Sequence, residues 1–251
     1  MKRLELIGLE GIDEVQGGDS VGALICEACS RQNFGLLDDD ILVVAQKIVS
    51  KAEKRTISLD EVQPSPRAIE LAKQLDKEPG LVEVILRESR EIVRMGGRAL
   101  IVETHHGFIC ANAGVDQSNV GLRQLALLPE DPERSAREIR DEIQRQTGKK
   151  PAVIISDSFG RPWRVGTVDI AVGVSGLKPV KDERGTLDRY GYQLKAAVAA
   201  VADEIAAAAE LVMGKRDGIP VVIVRGCAID REDGSVRELL RPEAEDLFRH
   251  F

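Results

Sequence analysis

A short apolar run that stops abruptly at polar residues constrains the fold more than any other feature of this chain. The segment 151–166 reads PAVIISDSFGRPWRVG, in which the apolar run 153–155 is followed by Ser-Asp-Ser at 156–158. Apolar runs of this length bounded by turn residues are typical of buried strands. Ligands of α/β sheets bind beyond the carboxyl ends of strands, so the acid and hydroxyls, with Arg161 and Arg164, suit a metal-bound phosphate. A polar surface turn is the alternative interpretation.

The remaining pattern predicts an α+β protein with mixed or antiparallel sheets and packed helices, rather than a doubly wound sheet. Strands are expected at 4–9, 41–45, 99–102, 108–111, 168–174 and 220–224. Helices are expected at 21–31, 68–75, 79 to about 93, 132–146 and 194–213, and in the charged tail from residue 231. Several strands read as hairpin pairs, which is why a simple β-α-β alternation does not fit.

Composition excludes some partners. The chain has 251 residues, a formal charge of −7 and only 3% aromatic residues. Nucleic acids call for positive surfaces and, when single-stranded, for aromatic stacking platforms, so no nucleic-acid partner is expected. An acidic protein that binds polyphosphate has to concentrate positive charge locally or recruit metal ions.

The cellular location of the protein and the oxidation state of its cysteines are predicted together. No segment has the apolar length of a membrane span, and the first residues do not read as a signal peptide, so we expect a cytoplasmic protein without membrane partners. Cys26 and Cys29 form a C-x-x-C inside an expected helix, while Cys110 and Cys227 lie in strand-like runs. Without a second pair at zinc-site spacing, buried free thiols are predicted.

The standard nucleotide-binding motifs are absent. The sequence contains no G-x-x-x-x-G-K-[ST] and no G-x-G-x-x-G after a strand, so a nucleotide site must be built another way. Polar residues that end or follow apolar runs are the candidates: Ile12, Asp13, Glu14 and Val15; Gln46, Lys47 and Lys51; Asp116 and Asn119; Asp157 and Ser158. Aspartates from separate strand ends can share a divalent cation that bridges phosphates. Solvated surface groups are the alternative for each residue taken alone.

Taken together, these segments resemble the coenzyme F420-0:L-glutamate ligase (F420:gamma-glutamyl ligase) family. The matching strings occur in family order along nearly the whole chain. They are VVAQKIVSKAE (43–53), NAGVDQSNV (112–120), LLPEDPERSA (127–136), VIISDSFGRPWRVG (153–166), VADEIAAAAELVMG (201–214) and IPVVIVRG (219–226).

The resemblance implies an activity, a fold and partners. It implies a GTP-dependent ligase that forms an amide between L-glutamate and F420-0 through an acyl phosphate, with possible addition of further glutamates. It also implies Mn²⁺ or Mg²⁺, one or two per subunit, with K⁺, and an intertwined homodimer whose fold is not of the P-loop type. One ligase domain would cover residues 1–251, with subdomain boundaries left open. A related nucleotide-dependent amide ligase acting on a different carboxylate is the alternative.

Site residues follow from the same resemblance. Asp116 and Asp157 would hold the first metal, and Ser158 would help to hold a second. Stabilising the charge on the transferred group, or holding an acidic substrate, is a role that fits Lys47, Lys51, Arg161 and Arg164. Of these we take Lys51 and Arg161, with Asp157, as catalytic. The nucleotide would contact Ile12, Asp13, Glu14, Val15, Gln46, Lys47, Lys51, Asn119, Met213, Gly214, Lys215, Asp217 and Gly218.

Two departures from the family pattern bear on this assignment. Lys215 stands where archaeal relatives carry an acidic or amide ligand, and a protonated lysine cannot ligate a metal. Lys215 either replaces the positive charge of the second metal ion or leaves a site that holds one metal ion. Gln46 and Lys47 replace a pair of hydroxyl-bearing residues, so the choice between GTP and ATP as the nucleotide is left open. A phosphatase with Asp157 as nucleophile and a non-catalytic F420-binding protein are the rival functions.

Overall fold

Strands far apart in the sequence pair to form the central sheet. The computed structural model describes residues 2–248. Its strands are β1 (Glu5–Gly8), β2 (Ile41–Ala45), β3 (Thr56–Ser58), β4 (Ser89–Gly96), β5 (Ala99–Thr104), β6 (Ile109–Ala111), β7 (Gln124–Ala126), β8 (Ala152–Arg161), β9 (Arg164–Ser175), β10 (Lys181–Asp182), β11 (Val198–Ala199) and β12 (Val221–Arg225). Its α-helices are α1 (Val21–Arg31), α2 (Gln46–Ala52), α3 (Pro66–Leu75), α4 (Pro79–Arg87), α5 (Pro132–Thr147) and α6 (Val201–Met213).

The central sheet has the strand order β1-β12-β2-β8-β9. Strands β2 and β8 are parallel, whereas β1–β12, β12–β2 and β8–β9 are antiparallel pairs. Consecutive residues of β2, from Ile41 to Val44, are fully buried, so both faces of the sheet are covered. The parallel register ends with Ala45 opposite Ser156, after which β8 continues beside β9 without β2. A gap therefore opens at this edge of the sheet.

Helices cover the sheet and fix its edges. Helix α6 lies against β12, β1 and β9, and α5 lies against β8 and β9 and also packs on α1. The approach of α1 to α5 requires a glycine, because a Cβ at Gly22 would lie 2.7 Å from the Cβ of Glu142. Helix α1 begins at Ser20, whose Oγ accepts a hydrogen bond from the Ala23 amide at 3.3 Å. Such a cap contributes about 1 kcal/mol.

A buried ion pair joins the start of β2 to the end of β12. The Asp40 side chain is fully buried, and its two carboxylate oxygens accept hydrogen bonds from Nε and Nη2 of Arg225, both at 2.7 Å. Asp40 also accepts a hydrogen bond from the Leu37 amide at 2.8 Å. The charge is therefore buried with its partners satisfied, as buried carboxylates require.

A second hydrophobic cluster is formed by the chain between α2 and α5. Helices α3 and α4 pack on each other, on the β4-β5-β6 sheet and near the β3–β7 pair. Their buried side chains, which include Leu71, Ile85, Leu100 and Leu125, form this cluster. It carries the loop between β6 and β7, residues 112–123, to the open edge of the central sheet.

Some predicted elements are wrong in their extent. Helix α4 ends at Arg87, and residues predicted to continue it to Val93 form β4, which pairs with β5 across a turn at Gly97 and Arg98. The helix predicted from Leu194 begins only at Val201, because β11 pairs with β10 first. The tail after Arg231 contains only short 3-10 turns in its described part, up to residue 248. Strand β8 runs on to Arg161, well past the predicted end at Ile155.

Other predictions are confirmed. The fold is α+β with mixed and antiparallel sheets, and α1 and β2 have the predicted bounds. All cysteines are free. Cys26, Cys29 and Cys110 are buried, but Cys227 is only half-buried. Burial raises the pKa of Cys29 to about 11 and that of Cys110 to about 12. None of the helices in residues 2–248 has the length and apolar character needed to cross a bilayer.

Candidate active site

The gap at the end of β2 opens into a cavity of 310 Å³. Strand β2 leads directly into α2 there, and β8 passes alongside. Most of the residues predicted from sequence line this cavity: Ile12, Asp13, Glu14, Val15, Gln46, Lys47, Lys51, Asn119, Asp157, Ser158, Met213, Gly214, Lys215 and Gly218. Ser156, which was noted at the end of the apolar run, also lines the cavity, and side chains that were not predicted complete the wall, among them Asp169, Glu210 and Arg216.

The remaining predicted residues lie outside the lining. Asp116 contacts the cavity wall through Lys47, whose Nζ is 2.7 Å from Asp116 Oδ2. Asp217 lies against Gly214, where its carboxylate occupies the space that a Cβ would need. Arg161 lies at the exposed end of the β8–β9 hairpin and donates to the Val165 carbonyl at 3.1 Å.

Asp157 is the most perturbed acid of the cavity. Burial raises the pKa of its carboxyl to about 7. The backbone hydrogen bond at Ser158 and the Lys47 charge oppose that rise, while the neighbouring charges of Asp169 and Asp116 add to it. Aspartates from β8, from β9 and from the 112–123 loop therefore meet at this point. A buried carboxyl beside like charges is an environment that a cation would relieve.

Asp116 is held in its ionised form. Burial acts to raise the pKa of its carboxyl, but hydrogen bonds from Lys47 and Ser118 and the Lys47 charge outweigh that effect and leave the pKa lowered. The Ser118 amide donates to Asp116 Oδ1 at 2.8 Å, and Ser118 Oγ donates to Oδ2 at 3.0 Å. Ser118 thus orients the carboxylate, a role that the sequence did not reveal.

Lysines supply the positive charge of the cavity. Lys47 is one of them. Another is Lys51, whose Nζ lies 2.5 Å from Glu14 Oε1, and this ion pair connects α2 to the 12–15 loop. The Asn119 side-chain amide donates to the Lys215 carbonyl at 3.3 Å, which ties the 112–123 loop to the segment after α6. The walls are therefore cross-linked by polar contacts between distant parts of the chain.

Gln46 leaves a polar atom without a partner in the cavity wall. The side chain is 1% exposed, and the atom placed as Nε2 has no hydrogen bond. Ser50 Oγ lies 2.6 Å from the Leu127 carbonyl and 2.7 Å from the atom placed as Gln46 Oε1. A hydroxyl has one proton, and the Leu127 carbonyl can only accept. If the positions of the amide nitrogen and oxygen are exchanged, the nitrogen donates to Ser50 Oγ, and the Gln46 carbonyl oxygen takes the other position, where it is free to accept a hydrogen bond.

Asp169, which is not among the residues predicted from sequence, belongs to the same cluster. Its Oδ1 accepts a hydrogen bond from Ser158 Oγ at 2.6 Å, and its Oδ2 accepts one from Ser156 Oγ at 3.1 Å. The β8–β9 register places it directly opposite Ser158. An acid inside the apolar run 168–174 was the available signal, because a buried charge in a strand needs a partner or a ligand.

The donor set fits one divalent cation completed by a phosphate ligand. Within residues 2–248, no three His, Cys, Asp or Glu side chains converge into a metal site of their own. Asp157 and Asp116 influence each other electrostatically, and Ser158 adds a hydroxyl. Mg²⁺ is commonly bound by one or two carboxylates together with substrate phosphates and water, which agrees with such a set.

Comparisons with known proteins agree with the resemblance noted from sequence. Residues 11–226 match the family model described as F420-0:Gamma-glutamyl ligase. The chain is 51% identical to the coenzyme F420:L-glutamate ligase of Methanothermobacter thermautotrophicus over 98% of this chain and 99% of that protein. The corresponding protein of Methanocaldococcus jannaschii is 46% identical, with 99% and 98% covered. That of Archaeoglobus fulgidus is 44% identical, with 98% and 97% covered.

Proposed function

We propose, since this chain belongs to the F420-0:gamma-glutamyl ligase family, that it joins L-glutamate to coenzyme F420-0 at the expense of GTP. The observation that carries the proposal is the cavity in which acids and lysines from separate elements converge beside the end of β2. Relatives of nearly equal length bear the ligase name, which supports the acceptor and the amino acid. The acyl phosphate rests on the chemistry argued below, and GTP rests on the family resemblance.

The proposed reaction has two steps. A carboxylate oxygen of F420-0 attacks the γ-phosphorus of GTP, the bond to the β–γ bridging oxygen breaks, and GDP leaves. The α-amine of glutamate then attacks the acyl carbon, phosphate leaves, and the nitrogen loses a proton to form the amide. Activation is required because a free carboxylate is a poor electrophile towards an amine. Phosphoryl transfer itself depends on positioning and charge neutralisation.

Named residues account for these requirements. Asp116 and Asp157 would hold one divalent ion, Mn²⁺ or Mg²⁺, which would supply positive charge to offset that of the phosphates. Lys47 and Lys51, both on α2 and both in the cavity lining, would contact the same phosphates, and Asp116 and Glu14 hold their ammonium groups. The 12–15 loop and the segment Met213–Gly218 would flank the nucleoside. K⁺ remains part of the proposal on the family resemblance alone.

Among the proposed catalytic residues, Arg161 is the one whose position gives the least support to its role. It lies on the hairpin, outside the cavity lining. In a single chain it would reach the cavity only if the hairpin moved, so its proposed contact with an acidic substrate requires such a movement or a second copy of the chain. Lys47 and Lys51 therefore carry more of the proposed charge stabilisation.

We also propose that the protein is a homodimer. The hairpin exposes Trp163 and Val165, with 80% and 100% of their surface accessible, and the Trp163 ring lies tilted against Phe248 at 5.8 Å between ring centroids. The loop between β10 and β11 exposes Leu187 and Tyr190 as well. Apolar side chains grouped in this way mark surfaces that bury against a partner. A second copy of this chain is the occupant that the family resemblance favours.

Product analysis tests the function directly. The protein is incubated with F420-0, L-glutamate, Mn²⁺ and GTP, and the products are separated and weighed by mass spectrometry. The expected result is F420-0 carrying one or more added glutamates, with GDP and phosphate formed in step. ATP replaces GTP in a parallel reaction, because Gln46 departs from the family pattern and bears on nucleotide choice.

The outcome of that assay separates the candidates. GDP formation without a glutamylated product, or a product only with another carboxylic acid, would contradict the assignment and favour the related amide ligase. Phosphate release from phosphate esters without a nucleotide would favour the phosphatase. Binding of F420-0 without turnover would favour a carrier protein.

A further inference from the structure

The Lys215 side chain lies among the oxygen atoms of the candidate metal site. Its Nζ donates a hydrogen bond to Ser158 Oγ, and its carbonyl is held by Asn119. The residue follows Gly214, which ends α6 with φ +56, a conformation that glycine tolerates and that directs the chain across the cavity mouth. An ammonium group is thus placed beside the hydroxyl that the sequence assigned to metal binding.

The direction of each hydrogen bond in this cluster is fixed. The single proton of Ser158 Oγ is donated to Asp169 Oδ1 at 2.6 Å, since a carboxylate can only accept. Ser158 therefore presents a lone pair to Lys215. Ser156 donates to the other oxygen of Asp169 at 3.1 Å. The result is a chain in which one negative charge, on Asp169, is balanced through Ser158 by one positive charge, on Lys215.

Among residues 2–248, no lysine or arginine forms an ion pair with Asp157. Lys47 is committed to Asp116 at 2.7 Å and to Ser118 Oγ at 2.6 Å, and its charge acts on Asp157 only from that position. Asp116 and Asp169 add two negative charges in the neighbourhood of Asp157. Demand for an external cation is therefore concentrated at Asp157 and Asp116, while Asp169 is already linked to the Lys215 ammonium through Ser158.

We propose that Lys215 takes the place of a second divalent ion, so that each chain binds one such ion together with the nucleotide. This inference rests on the proposed function, because it assumes that a nucleotide and a divalent ion occupy the cavity. A divalent ion on Ser158 would share the hydroxyl oxygen with the Lys215 ammonium and would lie close to its positive charge. Removing the ammonium opens that position, and Asp169, Ser156 and Ser158 then offer oxygen ligands.

Counting bound metal tests the inference. Native mass spectrometry of the intact protein, with Mn²⁺ and a GTP analogue whose β–γ bridging oxygen is replaced by NH, gives the number of ions per chain. The wild-type protein is expected to hold one ion per chain, and Lys215→Gln to hold two. Arg216→Gln is the matched control, because it removes the same charge from the next position on the cavity wall and is expected to keep one ion.

Each outcome has a distinct meaning. Two ions on the wild-type protein, or one ion on a folded Lys215→Gln variant, would overturn the inference, as would two ions on Arg216→Gln. Circular dichroism and the thermal unfolding midpoint establish that the variants are folded. The product assay described above is independent of the ion count: a wild-type protein that makes glutamylated F420-0 while binding two ions would refute the role of Lys215 and leave the proposed function standing.

Discussion

Asp157 combines burial with two acidic neighbours, and for this reason we propose that the chemistry of the site depends on it. We expect Asp157→Asn to lower ligase turnover by about 100-fold or more, because even the loss of a group that only orients a metal ligand costs up to ~100-fold. The amide has nearly the same size, so the fold should be retained. Steady-state rates with saturating Mn²⁺ and circular dichroism measure the two effects.

The matched control for that substitution is Asp141→Asn, since Asp141 is exposed on α5 and outside the cavity. Its rate should stay within a factor of about two, as expected of surface changes. An Asp157→Asn enzyme with near-normal turnover would contradict the assigned role.

The raised pKa of Asp157 also predicts how metal-free stability depends on pH. A carboxyl whose pKa rises from 3.8 to about 7 on folding contributes stability that is fully present below pH 3.8 and is lost as the pH rises to 7. The free energy of unfolding of the wild-type protein, relative to Asp157→Asn, should therefore fall across this window and level off above it. Urea unfolding in EDTA at several pH values measures the difference. A difference that does not change with pH would contradict the raised pKa.

Among the elements, β2 and β12 depend on the ion pair between Asp40 and Arg225. Asp40→Ala leaves a guanidinium group half-buried without its partner, and breaking a buried pair in this way costs about 3–5 kcal/mol. We expect a loss of that size in the free energy of unfolding, measured by urea denaturation. Asp39→Ala, at the neighbouring position with 92% of its side chain exposed, should change it by less than about 0.5 kcal/mol. Equal effects of the two substitutions would show that the pair contributes little.

The elements that sequence predicted well are those whose pattern is local. Strand β2 is a continuous apolar run, and α1 has a capping serine and an apolar stripe, so their bounds follow from nearby residues. The errors occur where pairing decides. The residues after Arg87 are compatible with a helix, and they form β4 because β5 supplies a partner. Strands β3 and β7 are three residues each, too short to leave a pattern.

The same distinction applies to the site. Residues that follow an apolar run, such as Lys47 and Asp157, were recognisable because strand ends are recognisable. Asp169 and Ser118 were not, since their contacts depend on the register of β9 against β8 and on the loop carried by the second hydrophobic cluster. Lys215 was identified as a departure from the family, but its contact with Ser158 joins residues far apart in the sequence.

For the whole molecule, the exposed hairpin predicts the state of assembly. Trp163→Asp combined with Val165→Asp should convert a dimer to a monomer, because two charges replace apolar side chains that a partner would bury. Size-exclusion chromatography with light scattering measures the mass. Leu122→Asp is the control, since Leu122 is 97% exposed but lies in the 112–123 loop rather than in the hairpin. A wild-type protein that is monomeric at micromolar concentration would contradict the proposal.

The balance of charge over the whole molecule makes the cavity distinctive. The chain carries a formal charge of −7, and the cavity gathers four cations, Lys47, Lys51, Lys215 and Arg216, beside five acids, Asp13, Glu14, Asp157, Asp169 and Glu210. A lining of this kind does not attract anions by its net charge, so a bound metal ion would have to offset the acids before a phosphate chain could bind. The chain is a ligase of this family, and we propose that polyphosphate binds where the sheet opens.

Strand β12 is translated after β1 and β2 but is inserted between them. Until β12 is made, those two earlier strands have no shared neighbour, and the segment Met213–Pro220 that borders the cavity is not anchored to the sheet. A nascent chain therefore cannot assemble this pocket progressively. Completion of the central sheet and closure of the cavity wall become a single step in folding.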